Sequence, residues 1–517
     1  MIEKSKSNQL KIGSVLAYIQ MTLNVIIQLA YTPIMIKLLG QNEYGLYNTV
    51  SSTIAMLSIL SLGFNSGYIR YYSIYKKNDD SLGISRLNGL FLIIFLIIGL
   101  IGLICGIFLS FNLNLVFDKG LTSAEYQKAR ILMLLLTLNL AFSFPMSVFQ
   151  NIITAHEKFI FSKLLSMIRT VFSPLITLPL LLMGFRSIAM VVVTVSVNLI
   201  IDAIYLMYVI FKMKQKFVFK DFQKGLFKGL FFFTIFIAIN TVIDQINWNI
   251  DKLLLGRFKG TGEVAVYSVG YTLYYSFMLF STSISGVFTP RIHRIVNATQ
   301  DTPAKQRIEL TNLFTKVGRI QFLILGLLAS GIVFFGEYFI VELWAGKGYE
   351  NSYFVALLLI IPAAIALIQN LGIEIQRAEN LHQFRAIIYS VMAVLNLGLS
   401  IILCQKYGAI GSAVGTAISL VVANGFVMNI YYNRKCNIDI PFFWKNILQL
   451  SVGLIFPICA GIAIVSFIEI KSTLMFIVCA IAYTAIYCLS MWLFAMNKYE
   501  KDLIKKPLCK LFRRKSV

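Results

Sequence analysis

Charge is scarce in this sequence. Asp, Glu, Lys and Arg make up 13% of its 517 residues, against about 25% in a soluble domain. A water-soluble fold of this length would lack the polar material to cover itself. Histidine is also sparse. His156, His293 and His382 are the three present, all in short polar connections, which speaks against a zinc centre or proton relay built from imidazoles. The seven cysteines show no Cys-x-x-Cys or other metal-ligand spacing. Most lie inside apolar runs (Cys105, Cys404, Cys459, Cys479, Cys488), where a thiol acts as a small hydrophobe. The ~10-residue alternating segments of a membrane β-barrel do not occur. The start of the chain lacks the pattern of a cleaved signal peptide, and the stretch from residue 12 to 39 reads as an uncleaved first helix.

What is abundant is hydrocarbon. The chain is 58% hydrophobic, with a mean hydropathy of +0.77. Residues 93–111 and 447–468 contain no charge at all. Runs of about 18 or more such residues read as bilayer-crossing helices. The pattern predicts an all-α polytopic membrane protein with about 14 spans, at 12–39, 46–69, 87–111, 131–153, 164–184, 188–211, 226–255, 264–288, 313–335, 352–373, 386–404, 411–432, 447–468 and 473–496. Pro33, Pro145, Pro174, Pro179, Pro362 and Pro457 fall inside them, which membrane helices tolerate where neighbours satisfy the freed carbonyls.

Lys and Arg orient the spans. With the N-terminus in the cytoplasm, 35 of the 46 fall on the cytoplasmic side and 11 on the other. The positive-inside rule then places both termini in the cytoplasm. It also accounts for the net charge of +23 without a nucleic-acid partner. The basic tail, Lys505-Lys506 through Arg513-Arg514-Lys515, reads as an anchor on anionic lipid headgroups or as a plain topology signal.

The sequence repeats itself. Leu38-Leu39-Gly40, with Glu43 and Tyr47 following, resembles Leu254-Leu255-Gly256, with Glu263 and Tyr267. Residues 155–159 resemble 378–384, and 184–189 resemble 408–413. The unit holds six helices. Six is even, so both copies enter the membrane in the same direction, as in parallel repeats about an axis along the membrane normal. The expected organisation is an N-lobe at 1–211 (helices 1–6), a C-lobe at 212–432 (helices 7–12), and 433–517 as helices 13–14 with the basic tail. Two like lobes around a central cleft suit a transporter, since such sites lie at repeat interfaces. A duplication kept only for packing is the plainer alternative.

Two spans carry polar stripes. In helix 7, Asn240, Asp244, Asn247 and Asp251 fall within about 60° of one another on a helical wheel. A carboxylate at mid-bilayer costs about 3 kcal/mol or more, so such residues face a cavity or a partner. Helix 1 has Gln20, Asn24, Gln28 and Tyr31. Aligning Gly40 with Gly256 sets Asn24 opposite Asn240 and Gln28 opposite Asp244. These eight residues are the candidate substrate cleft. For Asp244, pairing inside its own lobe stays open beside a cleft role. For Asp251 and Lys252, a structural ion pair stays open. Arg70, Arg169, Asp202, Arg319, Glu374 and Arg377 are further intramembrane or end-of-helix charges, where an Arg can equally snorkel to the surface. Tyr267, Tyr271, Tyr274 and Tyr275 could stack on sugars or simply pack. Enzyme signatures are lacking. Gly256-x-x-x-Gly260-Thr261-Gly262 has no Lys-Ser/Thr ending for a phosphate loop, and no connection is long enough for a catalytic domain.

Several of these segments together resemble a known family. They are Leu38-Leu39-Gly40…Glu43-Tyr44-Gly45-Leu46-Tyr47, Leu62-Gly63-Phe64…Ile69-Arg70-Tyr71-Tyr72, Asp251-Lys252-Leu253-Leu254-Leu255-Gly256 and Phe339-Ile340…Leu343-Trp344-Ala345-Gly346…Tyr349. They resemble bacterial polysaccharide-repeat flippases of the multidrug/oligosaccharidyl-lipid/polysaccharide exporter superfamily. The resemblance implies a non-enzymatic flippase of the bacterial cytoplasmic membrane. It would move undecaprenyl-diphosphate-linked oligosaccharide repeats by alternating access, for capsule, O-polysaccharide or exopolysaccharide. Its partners would be the lipid-linked oligosaccharide, membrane lipids, and polysaccharide polymerase or glycosyltransferase machinery. It implies no cofactor, with coupling to an H⁺ or Na⁺ gradient left open and Asp244 as the candidate ion site. Helices 13 and 14 would serve the lipid tail. The helix 7 stripe is acidic where a cationic cleft is expected, so Arg70, Arg169 and Lys252 are the candidate diphosphate contacts. The alternatives are a flippase for a peptidoglycan or teichoic acid precursor, a cation-coupled drug antiporter, and a membrane glycosyl polymerase.

Overall fold

The computed structural model describes residues 2–117, 121–222, 225–299, 301–379, 381–503 and 505. The basic tail beyond Lys505 lies outside them. Among the described residues there is no strand. Seventeen α-helices with clear bounds follow one another among these residues, most of them separated by only a few positions. In hydrocarbon every backbone N–H and C=O must be paired within the chain, and a helix does this locally.

The chain forms two compact units. The first comprises 1–268 with 393–412, the second 269–392 with 413–517. In the first unit lie α1 (Ile2–Leu39), α2 (Gln41–Met56), α3 (Phe64–Lys77), α4 (Ser81–Phe111), α5 (Ser123–Ala155), α6 (Phe159–Leu182), α7 (Arg186–Met207) and α8 (Leu226–Phe258). α9 (Thr261–Ala298) begins there and runs on into the second unit. The second unit also holds α10 (Pro303–Tyr338), α11 (Glu350–Leu367), α12 (Leu371–Ala378), both ends of α13 (His382–Leu420), α14 (Met428–Arg434), α15 (Ile440–Ser451), α16 (Ile455–Phe467) and α17 (Thr473–Ser490). The fourteen stretches read from hydropathy are helical over most of their length. The stretch at 46–69 is divided between α2 and α3, and that at 352–373 between α11 and α12.

Among the described residues, eleven helical stretches are long and apolar enough to cross a membrane, or twelve when the pair Phe227–Ile235 and Ile237–Phe258, bent by 42°, counts as one. The sequence reading of about fourteen differs at two places. One is the 52-residue stretch Gln383–Arg434. At 1.5 Å per residue it would reach ~78 Å, more than twice a ~30 Å hydrocarbon core. It breaks inside α13 at Gly408 (φ 58, ψ −135). A Cβ placed on Gly411 would lie against the carbonyl oxygen of Leu403, eight residues back, so the chain doubles on itself there. The other is α9, too rich in Ser, Thr and Tyr to pass on hydropathy. α9 and α10 also extend some ten residues beyond the stretches read at 264–288 and 313–335. Hydropathy marks only the part of a helix in hydrocarbon, and these two continue with Arg291, Arg294, Lys305 and Arg307.

The repeat is written into the backbone. Gly40 and Gly260 are both left-handed (φ 81 and 90), as are Gly184 and Gly408 (φ 89 and 58). This shifts the internal alignment. The turn glycine that matches Gly40 is Gly260. Gly256 lies inside α8, and a Cβ there would strike Thr49. The register moves by one helical turn, and Asn24 now matches Asp244 while Gln20 matches Asn240. One turn keeps the same face, so the two polar stripes still correspond.

Close backbone packing sets the inside of each unit. A Cβ on Gly45 in α2 would fall on the Thr261 carbonyl, in the first unit. In the second, Gly318 lies against Phe443, Gly326 beneath Tyr487, and Gly461 against Phe334. α15–α17 therefore rest on α10. Tyr487 also donates to the Leu323 carbonyl (2.8 Å), and Tyr483 packs on Phe334 and Phe335.

Two predictions follow from this packing. Gly45→Ala should lower the melting temperature of the purified protein, by about 1–3 kcal/mol of overpacking. Gly286→Ala, with nothing within 4 Å of the added atom, should leave it level or raise it slightly. The second concerns Glu379, between α12 and α13, where burial pushes the carboxyl up to about 7. The folded chain keeps this proton between about pH 4.5 and 7 while the unfolded chain has lost it, so stability falls as pH rises through that window. Glu379→Gln should melt like the parent at pH 4.5. At pH 8 it should gain ~1–2 kcal/mol, discounted for the solvent that reaches the group.

Candidate functional site

The helix 7 stripe lies on α8, beyond its bend, so Asn240, Asp244, Asn247 and Asp251 share one unbroken helical stretch. Asn240 and Asp244 are exposed and Asn247 half-buried. A carboxylate in a membrane helix is costly in lipid and faces a partner or a water-filled cavity. Gln20, Asn24, Gln28 and Tyr31 are all half-buried on α1. The α8 stripe thus divides into an open part and a closed part.

The closed part is Asp251, only 2% exposed. Its carboxylate accepts from Tyr267 Oη (2.7 Å), Ser400 Oγ (3.0 Å) and Ser412 Oγ (2.7 Å). Ser400 also reaches Asn396 Oδ1 (3.2 Å). Three hydroxyl donors stabilise a buried carboxylate, and they tie α8 to α9 and to both arms of α13 around Gly408. Lys252 beside it is half-buried. Asp251, Ser400, Ser412 and Asn396 thus form one hydrogen-bonded cluster. Among the described residues, no group of three or more His, Cys, Asp or Glu is placed to hold a metal ion.

The basic candidates lie on different helices. Arg70 is exposed on α3 and covers the Phe233 ring of α8 at 4.2 Å. Arg169 on α6 pairs with Asp202 of α7 (3.5 Å), and Asp202 also accepts from Gln150 of α5 (2.9 Å). Arg319 is buried in α10 and held by Glu500. Arg377 pairs with Glu374 on its own helix (2.7 Å).

Sequence reasoning passed over an acidic clasp. Glu43 is buried at the start of α2. It accepts from Ser187 N (3.0 Å) and Ser187 Oγ (2.6 Å), and pairs with Lys128 Nζ (2.7 Å) and Arg186 (3.4 Å). Its repeat partner Glu263 accepts from Ala409 N (2.7 Å). Each bond goes to the N–H just after a positive-φ residue, Arg186 (φ 29) or Gly408 (φ 58). Cavities of about 520 and 510 Å³ flank Glu43. The repeated Glu was visible in the sequence, but its partner lay 144 residues away.

Removing the Asp251 carboxylate would strand three hydroxyl groups. Asp251→Ala should cost about 3 kcal/mol or more of stability, and Asp251→Asn, which still accepts, clearly less. Thermal unfolding of the purified variants checks this, and equal melting of Asp251→Ala and the parent would remove the cluster's structural role.

The sequence profile of a family described as "Polysaccharide biosynthesis protein" matches residues 11–296, more than half of the chain. A protein of Shigella flexneri described as "Putative O-antigen transporter" is 20% identical over 408 residues, covering 77% of this chain and 92% of its own. Among solved structures, an inward closed lipid II flippase MurJ superposes with a TM-score of 0.72 at 16% identity, covering 95% of this chain and 99% of its own. An inward-facing multidrug resistance MATE transporter of the MOP superfamily gives 0.56 at 14% identity, covering 81% and 99%. The chain thus shares the fold of these two structures, and the helices are those of a multi-pass membrane protein. The chain belongs to the polysaccharide biosynthesis protein family.

Proposed function

We propose that this protein is a flippase for undecaprenyl-diphosphate-linked oligosaccharide repeat units in the bacterial cytoplasmic membrane. It would work by alternating access of two repeated halves, with fourteen crossings and both termini in the cytoplasm. The observation that carries the reading is the open part of α8, where Asn240 and Asp244 present an amide and a carboxylate from within a bilayer-spanning helix. Sugar hydroxyls are matched by such groups. A diphosphate and several sugars cannot cross ~30 Å of hydrocarbon unaided. Family membership, the Shigella flexneri relative and the flippase fold support the same substrate class. The lysine and arginine bias supports the orientation.

The fold likeness to a lipid II flippase favours one second reading, a peptidoglycan or teichoic acid precursor as cargo. The two readings part on deletion. A clean deletion should leave lipid-linked repeats on the inner leaflet and remove surface polysaccharide while cells still grow. Growth arrest with accumulated wall precursor would transfer the assignment to the second reading, and normal surface polysaccharide would overturn the first.

Ion coupling has two acidic candidates on α8, exposed Asp244 and enclosed Asp251. Asp244→Ala and Asp244→Asn should each cut transport about tenfold or more at unchanged expression, the effect of losing a charged contact. Full complementation by both variants would take Asp244 out of the mechanism. Transport that ceases when either a proton or a sodium gradient is collapsed would identify the coupling ion.

A further inference from the structure

The C-terminal end of the second unit carries a group of residues that transport leaves unused. After α17 the chain makes a π turn, Met491–Ala495, and leaves the helix at Met496 (ψ 132). It becomes helical again over 498–503. This short helix is pinned from beneath. Glu500 is 2% exposed and accepts from Arg319 of α10 (3.0 Å to Nη2). Arg319 also donates to the carbonyls of Asn446 (2.9 Å) and Ala495 (3.1 Å). Asn497 N donates to Glu500 (2.9 Å), and Asn497 Oδ1 accepts from Glu500 N (3.0 Å). A buried ion pair so fully bonded adds little net stability over apolar packing, but it fixes a direction.

That direction decides where the lysines go. Lys498, Lys501 and Lys505 recur at i, i+3, i+7, one face of a helix. Lys501 Nζ and Lys505 Nζ lie 5.8 and 5.4 Å from the Trp492 ring centroid. Nearby, Lys316 Nζ of α10 stands 3.2 Å from the centre of the Tyr499 ring. Just before this cationic belt comes an exposed apolar band of Leu489, Leu493 and Phe494, with Phe456 stacked on Phe494. Hydrocarbon-facing side chains, then Trp and Tyr, then lysines is the order of groups met on leaving a bilayer. Glu500 is taken by Arg319, which leaves Asp502 as the other acidic residue among the lysines of 498–505.

We propose that Trp492, Lys501 and Lys505, with Lys498, form a binding site for the phosphate of an anionic phospholipid headgroup at the membrane surface. The apolar band is continuous with it and would receive the acyl chains, which favours a lipid over a protein partner. The site is independent of what the protein transports.

The test uses the purified full-length protein in detergent, titrated with phosphatidylglycerol or phosphatidylcholine. Retained lipid is counted by native mass spectrometry, and melting is followed alongside. Phosphatidylglycerol should be retained and should raise the melting temperature, and phosphatidylcholine should do neither. Lys501→Ala/Lys505→Ala should bind phosphatidylglycerol roughly thirtyfold more weakly, the effect of two interfacial lysines. Lys501→Arg/Lys505→Arg, which preserves the charge, should retain it. Equal retention of the two lipids by the parent, or undiminished phosphatidylglycerol binding by the double alanine variant at unchanged lipid-free melting, would overturn the site. If the alanine variant fails to fold, Lys501→Gln/Lys505→Gln takes its place under the same criteria.

Discussion

Hydrocarbon offers no hydrogen bonds, and that single property governs this chain. It forces the backbone into helices, because only a helix satisfies its own peptide groups along a single crossing. It also forces every intramembrane polar side chain to find a partner or an aqueous surface. The interior of the first unit reads as a set of answers to that demand. Asp251 is surrounded by three hydroxyls, Asp202 is shared by Gln150 and Arg169, and Glu43 is clasped by Ser187, Lys128 and Arg186. The second unit answers with Arg319 and Glu500.

The same demand explains why the duplication can still be seen. Left-handed positions favour glycine, and an acidic residue that bonds an N–H beside such a turn needs the turn to keep its shape. Gly40 and Gly260, Gly184 and Gly408, and Glu43 and Glu263 are therefore preserved as pairs. The apolar residues between them are interchangeable by volume and show little of the repeat. The polar stripes of α1 and α8 survive as types rather than identities, with Asn24 matched to Asp244. Amides and carboxylates are both polar, so the character of the face survives the exchange.

Asn240 and Asp244 are exposed on a helix that crosses hydrocarbon. The basic candidates Arg70 and Arg169 have contacts of their own in the first unit. Arg169 is already engaged by Asp202, and Arg70 lies over an aromatic ring.

The sequence alone determined the all-helical membrane class, the approximate place of most helices, the duplication and the polar faces of α1 and α8. Each is a local or periodic signal, carried by residues a few positions apart or by one repeat of constant spacing. The structure decided what depends on residues far apart in the chain. It divided one stripe into an open Asp244 and an enclosed Asp251, because Ser400 and Ser412 arrive only when α13 doubles back at Gly408. It moved the repeat register by one turn, because backbone dihedrals distinguish Gly260 from Gly256 where composition cannot. It also showed Arg319 to be the anchor of a C-terminal helix 181 residues away. Burial and pairing between distant segments are properties of the folded packing, and no local pattern of residue types encodes them.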